Sequence, residues 1–175
     1  MEGAAGREHR DMTLRIYSIV GHPEAYDLGR KMVAEYVDAT AQEMAAEPST
    51  FIPFIEGYSE FPGAFSQGDF LLCGAPGSES GCVGIKPLSE SVCEMKTLWV
   101  RPAHRGKGVA RALVLASLSR AEELGFERME LDVLPSRLGA IELYRSTGFT
   151  ECPVTHSYTF EMVGFQKRLH SGEKP

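Results

Sequence analysis

The first hydrophobic patterns along the chain are those of one strand and one helix. Thr13–Val20 (TLRIYSIV) alternates weakly between polar and apolar residues, which is typical of a β-strand. From Glu24 to Met44, apolar residues recur at helical spacing, which predicts an amphipathic helix that begins close to Pro23. The chain is therefore expected to begin with a β-α unit.

Three short apolar runs follow a long irregular stretch. Residues 45–68 are rich in proline, glycine and aromatic side chains, and we expect a long loop or short broken helices there. The strand-like runs Phe70–Gly74, Cys82–Ile85 and Val92–Val100 come next, with turn residues over Pro76–Gly81 between the first two. Strands joined by short turns predict an antiparallel meander.

The pattern after Val92–Val100 changes to helices alternating with strands. Apolar positions in Val109–Ala121 share one helical face, and Met129–Val133 alternates as a strand. A strand, a helix and a strand in this order form a crossover, so the two strands should be parallel. A second helix is predicted over residues 137–147 and a final strand at Val163–Leu169.

These elements predict an α/β (α+β mixed) fold in a single domain. We expect a central mixed, mostly antiparallel sheet with one parallel strand–helix–strand crossover, flanked by helices. The chain has 175 residues, of which 43% are apolar and 24% are charged, ordinary values for a globular domain. We place the domain at residues 12–169, after an N-terminal arm (1–11) expected to be disordered and before a tail (170–175).

The net charge of the chain limits the classes of binding partner that we expect. The net charge is −6 and the pI is about 5.4. An acidic chain has no general electrostatic footprint for nucleic acid or an anionic membrane surface, so we expect neither as a partner. The sequence has no run of about 18 apolar residues and no signal peptide, and we expect a cytoplasmic protein.

The cysteines predict neither a metal site nor a disulfide framework. They form no Cys-x-x-Cys pair and match no zinc spacing with histidine. We expect them to be reduced and to act mostly as small apolar residues, and we expect no metal. They are Cys73, Cys82, Cys93 and Cys152.

The segment Arg101–Arg111 (RPAHRGKGVAR) has the composition of a phosphate-binding turn. Pro102 ends the strand ladder, and the glycines let a backbone approach a ligand closely. Free N–H groups at the start of the next helix attract an anion. Positive charge is clustered here in an otherwise acidic chain, at Arg101, Arg105, Lys107 and Arg111. The pattern predicts a pyrophosphate site, with a solvated basic turn as the alternative.

Three kinds of phosphate-binding site could explain this loop. A P-loop needs Ser or Thr after its lysine, but Lys107 is followed by Gly108. A dinucleotide fingerprint needs a third glycine where the chain has Arg111, and a tight turn directly after the strand. A nucleotide-binding regulator is therefore disfavoured, and coenzyme A is the third option.

Two motifs in order resemble those of the GNAT acetyltransferase superfamily. RGKGVA at residues 105–110, preceded by LWVRP at 98–102, resembles the acetyl-CoA motif Gln/Arg-x-x-Gly-x-Gly/Ala that follows the family's fourth strand. LDVLPS, AIELY and GF within residues 131–149 resemble the family's second CoA-binding motif. The resemblance is firm over about Phe70–Phe149 and weaker over Thr13–Gly68.

The resemblance implies an N-acetyltransferase with acetyl-CoA as co-substrate and no required metal. The thiol-bearing arm of CoA is expected to pair with the end of the fourth strand, and amides at the helix start to bind the pyrophosphate. Many members carry Asn where this chain has Arg137, which leaves the polar contact from that loop open. The implied acetyl-CoA-binding residues are Leu98, Trp99, Val100, Arg105, Gly106, Lys107, Gly108, Val109, Ala110, Ser136, Ala140 and Arg145.

Glu94 is the candidate general base. Removal of a proton from an alkyl ammonium near pH 7.4 costs roughly 4 kcal/mol. A base, or a water relay that ends in one, is therefore useful. Glu94 matches a strand position at which several members of the family carry a glutamate base. The alternative is an exposed strand residue paired with Lys96.

Tyr144 is the candidate general acid. The departing CoA thiolate has a pKa of about 8.5, so a proton donor helps it to leave. Tyr144 matches the position of the family's usual acid. The alternative is a core aromatic residue beside Ile141.

The expected acceptor is a small molecule with a primary amine. The aromatic segment Phe51–Phe65 either forms a wall of the acceptor pocket, as in the family, or covers core. Lys96 should share a strand face with Glu94, where it either holds an acidic group of the acceptor or neutralises Glu94. The alternatives are a protein or peptide amine as acceptor and a CoA-binding module without chemistry. A monomer and a homodimer both remain open.

Overall fold

The computed structural model describes residues 14–46, 62–75 and 77–169. These residues form seven β-strands and three α-helices, with short 3₁₀ turns at Pro23–Ala25, Gly63–Phe65 and Pro102–His104. In chain order the elements are β1 (Ile16–Ser18), α1 (Tyr26–Glu43), β2 (Asp69–Ala75), β3 (Ser78–Pro87), β4 (Val92–Val100), α2 (Val109–Glu123), β5 (Arg128–Val133), α3 (Leu138–Ser146), β6 (Thr150–Cys152) and β7 (Val163–Arg168).

The strands form one mixed sheet in the order β1-β2-β3-β4-β5-β7-β6. Neighbouring strands are antiparallel except β4 and β5, which are parallel and joined by α2. The predicted α/β (α+β mixed) fold, its meander over β2–β4 and its single parallel crossover are therefore confirmed.

Helices cover both faces of the sheet. Phe70 and Leu72 of β2 lie in the core beneath α1, whereas Leu71 and Cys73 lie in the core beneath α2 and α3. This alternation is the two-residue period of a strand that is buried on both sides. Among the described residues, no helix combines the length and apolar character needed to cross a bilayer.

The cysteines are free, and three of them are fully buried. Burial raises the pKa of the Cys93 thiol to about 12 and raises the pKa of Cys82 as well. Thiols held in the protonated form are poor nucleophiles, which agrees with their predicted role as small apolar side chains.

The turn predicted over Pro76–Gly81 is too long, because β3 begins at Ser78. Two of the residues involved, Glu79 and Ser80, are polar but buried. The Glu79 carboxylate accepts a hydrogen bond from the Tyr17 hydroxyl at 3.0 Å, and the Ser80 hydroxyl donates to a carbonyl of β2 at 3.0 Å. Partners on neighbouring strands therefore allow polar residues with a turn-like composition to lie inside a strand.

The two strands at the edges of the sheet differ from the sequence patterns. Within residues 14–20, the described part of the predicted run Thr13–Val20, β1 occupies Ile16–Ser18. β6 (Thr150–Cys152) is a further strand that the patterns do not indicate, because three residues are too few to display a period. It pairs with β7 at the edge of the sheet.

Several predicted features lie outside the described residues. They are the N-terminal arm (1–11), the tail (170–175) and most of the aromatic segment Phe51–Phe65. Phe65, at the described end of that segment, is buried and packs edge to face on Phe70 with ring centroids 5.1 Å apart. This ring therefore covers core.

Candidate active site

The candidate site lies where β4 and β5 separate. The two strands pair only over Val92–Glu94 and Arg128–Glu130. Further along β4, Thr97 has a φ of 55°, which is uncommon for a β-branched residue, and the β3–β4 register shifts at the same place. Such a bulge bends its strand, and here the second half of β4 leaves β5 and opens a cleft in the sheet.

A cavity of about 140 Å³ occupies this cleft. Side chains of α1, β4, β5, α3 and the segment that precedes β7 line it. The cavity brings together four of the predicted site residues, Glu94, Leu98, Ala140 and Tyr144. Other lining residues are Tyr36, Thr40, Lys96, Asp132, Arg137 and Tyr158.

The loop before α2 has the backbone of an anion cradle. Gly106 and Gly108 have φ angles of 71° and 79°, a left-handed conformation that glycine adopts without strain. A Cβ at either glycine would meet no atom within 4 Å. Among the described residues, no backbone carbonyl accepts from the N–H groups of Gly106, Lys107 or Gly108. With the N–H groups of Val109 and Ala110 in the first turn of α2, they suit a phosphate group.

Arg101 does not contribute to the basic side of this loop. Its guanidinium binds the Glu35 carboxylate of α1 at 2.9 and 2.8 Å, and the hydrogen bond lowers the pKa of Glu35. The indole of Trp99 donates to the same carboxylate at 3.3 Å. The side chains of Trp99 and Arg101 are thus directed toward α1.

The other three basic side chains of this segment bind neutral groups. They are Arg105, Lys107 and Arg111. Arg105 donates to the Val100 carbonyl at 3.0 Å and lies 5.0 Å above the Trp99 ring. Lys107 donates to a carbonyl within the loop at 3.0 Å, and Arg111 donates to a hydroxyl of α3 at 3.1 Å. These hydrogen-bond partners are neutral, so the positive charge remains available to an anion.

The loop after β5 is docked on α1. The Ser136 hydroxyl donates to Glu43 at 2.7 Å, and Arg137 donates to Glu43 at 3.0 Å. Arg137 also donates to Thr40 at 2.7 Å and to the Tyr36 hydroxyl at 3.3 Å. Arg137 thereby lines the cavity, whereas Ser136 is exposed and faces Glu43. A contact from Ser136 to acetyl-CoA stays a prediction.

Arg145 lies on the exposed side of α3. It pairs with Glu151 and lies 5.9 Å from the centre of the Phe165 ring. Ala140 and Tyr144, four residues apart on the same helix, face the cavity instead. A contact from Arg145 to acetyl-CoA likewise stays a prediction.

Tyr144 presents a hydroxyl to the cavity from a buried ring. Its ring packs against Phe149 and Phe165 with centroids 5.8 and 6.2 Å away. Only 6% of the residue is exposed, and burial raises the pKa of its hydroxyl. Within residues 14–46, 62–75 and 77–169, no side chain or carbonyl is hydrogen-bonded to this hydroxyl. The ring of Tyr144 is therefore part of the core, and its role as general acid stays a prediction.

Glu94 is buried between two basic side chains. Only 2% of it is exposed. The Lys96 ammonium is 3.5 Å from Oε1, so the predicted sharing of one strand face by Glu94 and Lys96 is confirmed. On the other side, Nε2 of His156 is 2.9 Å from Oε1 and 3.0 Å from Oε2.

Asp132 fixes the segment that carries His156. Its carboxylate accepts hydrogen bonds from the backbone N–H of Thr155 at 3.0 Å and of His156 at 3.3 Å. It also accepts from the Tyr158 hydroxyl at 2.7 Å. Burial, together with this hydrogen bond, raises the pKa of Tyr158. The segment between β6 and β7 is thus held against β4 and β5.

Glu94, Asp132 and His156 bring possible metal-ligating atoms within 4.8 Å of one another. The same atoms already form a hydrogen-bond network, and the Lys96 ammonium adds a positive charge beside Glu94. A bound cation would be repelled by that ammonium. The trio is therefore better suited to hold and move protons than to bind a metal ion.

The sequence patterns do not single out Asp132 and Tyr158, which line the cavity, or His156, which contacts Glu94. The sequence does contain a pattern that could have indicated Asp132. Asp132 shares a face of β5 with Glu130, and Glu130 is paired with Glu94 across the parallel strands. No sequence pattern indicates His156, since it lies 62 residues after Glu94 in a segment without periodicity.

Comparison with known proteins places these features in a family. Residues 64–149 match the profile of the Acetyltransferase (GNAT) family. An uncharacterised N-acetyltransferase of Schizosaccharomyces pombe is 41% identical over 83 residues, which cover 46% of this chain and 51% of that protein. The chain spans about half the length of the curated relatives that it matches.

Solved structures show the same fold. A GNAT-family acetyltransferase of Staphylococcus aureus Mu50 superposes with a TM-score of 0.72 at 12% identity, over 89% of this chain and 100% of that one. A GNAT-family acetyltransferase of Elizabethkingia anophelis with acetyl-CoA bound superposes with a TM-score of 0.54 at 16% identity, over 63% of this chain and 82% of that one. The predicted architecture is therefore that of known acetyltransferases.

Proposed function

Because the chain belongs to the GNAT acetyltransferase superfamily, we propose that it transfers an acetyl group from acetyl-CoA to the primary amine of a small molecule by direct attack in a ternary complex. The observation that carries this proposal is that Glu94 and Tyr144 line the same cavity, where β4 and β5 separate. A buried carboxylate and a buried phenol in one cavity are the two proton-handling groups that the reaction needs.

The acetyl-CoA site is proposed along the second half of β4 and the start of α2. The amides of Gly106 to Ala110 would take the pyrophosphate, with charge from Arg105 and Lys107. Leu98, which lines the cavity, and the backbone of Trp99 and Val100 would run beside the thiol-bearing arm, with Ala140 opposite. Ser136 and Arg145 would have to leave Glu43 and Glu151 to reach the ligand.

Tyr144 is proposed as the general acid. When the amine nitrogen bonds to the thioester carbonyl carbon, the C–S bond breaks and the thiolate takes a proton. Burial raises the pKa of Tyr144, so its hydroxyl is protonated at neutral pH, and Tyr144 lines the cavity. The free hydroxyl can therefore donate to sulfur without first breaking another hydrogen bond.

Glu94 is proposed as part of the general base. The acceptor enters as an ammonium, and the amine must lose a proton before it can attack. Glu94 is the buried carboxylate of the cavity, and its basic neighbours Lys96 and His156 both contact it. The proton is taken by Glu94 or by a group that Glu94 positions.

Glu94→Gln is expected to lower kcat/KM about tenfold to a hundredfold near neutral pH and to recover part of the loss as the pH rises. The reason is that an alkaline medium deprotonates the amine by itself. The measurement is kcat/KM from pH 6 to about 9.5, with thiol release from acetyl-CoA as the signal. A profile parallel to that of the wild type would remove Glu94 from the proton transfer.

The acceptor is proposed to be a compact amine. The cavity lies between helices on both faces of the sheet, and aromatic and methionine side chains form part of its wall, including Tyr36, Met44, Tyr158 and Phe160. Such walls suit an apolar body of limited size with a single amine. A polycationic chain would bring further positive charges close to Lys96.

Competition between free amino acids, neutral arylalkylamines, polyamines and lysine-rich peptides tests this proposal. We expect one of the first two classes to have the highest kcat/KM. Polyamines or basic peptides as the best substrates would contradict it, and acetyl-CoA binding without turnover of any amine would favour a CoA-binding module.

The variant Lys96→Met distinguishes the two possible roles of that lysine. If only the preference for acidic amines is lost, Lys96 recognises the acceptor. If kcat/KM falls equally for every amine, Lys96 acts through Glu94.

A further inference from the structure

His156 contacts two residues that line the cavity, Glu94 and Tyr158. Its Nε2 contacts both carboxylate oxygens of Glu94, and its ring meets that of Tyr158 edge to face with centroids 6.0 Å apart. The His156 side chain is 28% exposed, whereas that of Glu94 is 2% exposed. The pair therefore has a buried carboxylate end and an imidazole end in contact with solvent.

The contacts define which nitrogen of His156 can accept a proton. An ionised carboxylate only accepts hydrogen bonds, so Nε2, which faces both oxygens of Glu94, carries a hydrogen. In the neutral ring, Nδ1 then has the free lone pair. Over the described ranges 14–46, 62–75 and 77–169, no donor is hydrogen-bonded to Nδ1.

The surroundings of the ring can tolerate the positive charge that proton uptake would create. Glu94 and Lys96 face it from β4, and Glu130 and Asp132 lie on the adjoining face of β5. Tyr158 flanks the ring from its own segment. An imidazolium at this position would lie against the Glu94 carboxylate, which turns the existing hydrogen bond into an ion pair.

Glu94 itself is poorly placed to take a proton from a substrate and return it to solvent. Both its oxygens contact His156, and Oε1 also contacts Lys96. The carboxylate is buried, so a proton accepted there has to pass through a neighbour to reach water. His156 is the more exposed of its two neighbours, at 28% against 18% for Lys96, and it has an unoccupied ring nitrogen.

We propose that His156 is the catalytic base of the proposed acetyl transfer and that Glu94 is the positioning residue that orients it. The N–H bond of the acceptor ammonium breaks, an N–H bond forms at Nδ1 of His156, and the electron pair left on nitrogen attacks the thioester. The imidazolium, held by Glu94 through Nε2–H, then gives its Nδ1 proton to water. The inference rests on the proposed function, and it adds the residue and the atom that take the proton.

The test compares His156→Gln and His156→Ala with the wild type, with thiol release from acetyl-CoA measured for the amine panel. Gln retains an N–H donor for Glu94 but takes up no proton, so we expect kcat/KM to fall at least about tenfold, with acetyl-CoA affinity within about twofold of wild type. The part of the pH dependence of kcat/KM that comes from proton uptake by the imidazole should disappear. Added imidazole should restore part of the activity of His156→Ala.

His22→Gln is the matched control. His22 also lies beside a carboxylate, with Nδ1 3.3 Å from Glu24, but this pair is exposed and lies outside the cavity. Its replacement should change neither kcat/KM nor the pH profile. Wild-type activity in His156→Gln, or no restoration of His156→Ala by imidazole, would overturn the proposed base.

A second readout does not depend on turnover. Nitrogen NMR of the imidazole in the full chain should show the tautomer with hydrogen on Nε2 and a bare Nδ1 above the pH at which the ring loses its charge. Hydrogen on Nδ1 would overturn the inference. Absence of thiol release by the wild type with every amine would instead overturn the acetyl transfer itself and the role of His156 with it, so the two failures are distinguishable.

Discussion

Tyr144→Phe is expected to lower the turnover of acetyl transfer by about 10²–10⁴-fold, with acetyl-CoA affinity within a few-fold of wild type. The substitution removes only the hydroxyl that faces the cavity. The ring keeps its contacts with Phe149 and Phe165, so the core beneath α3 should be retained. Without the hydroxyl, the thiolate has to leave as an anion in a buried site, and this is the step that should slow.

The measurement is single-turnover kinetics together with calorimetric titration of acetyl-CoA. Tyr17→Phe is the matched control, because it removes a hydroxyl that donates to buried Glu79 on β3 rather than to the cavity. That change should cost about 1.5–3 kcal/mol of folding stability, because the lost hydrogen bond is to a buried carboxylate, and leave turnover unchanged. Equal turnover of Tyr144→Phe and wild type would reduce Tyr144 to the core aromatic residue that its burial also permits.

The parts of the fold that the sequence predicts are those with local causes. The limits Val92–Val100 of β4 agree with the apolar run, because the strand is bounded by turn residues on both sides. Gly125 and Gly148 end α2 and α3 with φ angles of 89° and 92°, so the glycine that follows each helical pattern has a direct conformational reason. The crossover rule then fixes the parallel pairing of β4 and β5.

The parts that the sequence does not predict depend on distant partners. Arg101 adds charge to the phosphate loop in the sequence, but in the structure Glu35, 66 residues away, binds it. The histidine beside Glu94 lies 62 residues away, in a segment fixed by Asp132. Neither contact follows from periodicity or spacing, because tertiary packing decides which faces meet. The sequence motif is therefore sufficient to predict the candidate acid, whereas the histidine beside the candidate base is identified only in the structure.

Gly108→Glu is expected to abolish measurable acetyl-CoA binding in a folded protein. Gly108 is the N-cap of α2 with a φ of 79°, and a residue with a Cβ pays roughly 1–2 kcal/mol to adopt that conformation. A Cβ there would meet no atom of the protein within 4 Å, so the fold has room for the side chain. The larger effect is electrostatic: a carboxylate about 4 Å from a phosphate costs about 4 kcal/mol near a protein surface, close to a thousandfold in Kd.

Gly125→Glu provides the matched control at the other end of the same helix. Gly125 also has a positive φ, 89°, and open space around a built Cβ, so strain and added charge are similar. It lies beyond the 15 residues of α2, about 22 Å from the phosphate loop. Both variants should lose similar stability in thermal unfolding, but calorimetry should show acetyl-CoA binding only for Gly125→Glu. Unchanged affinity in a folded Gly108→Glu variant would mean that the phosphates bind elsewhere and that the amides at the start of α2 are not their site.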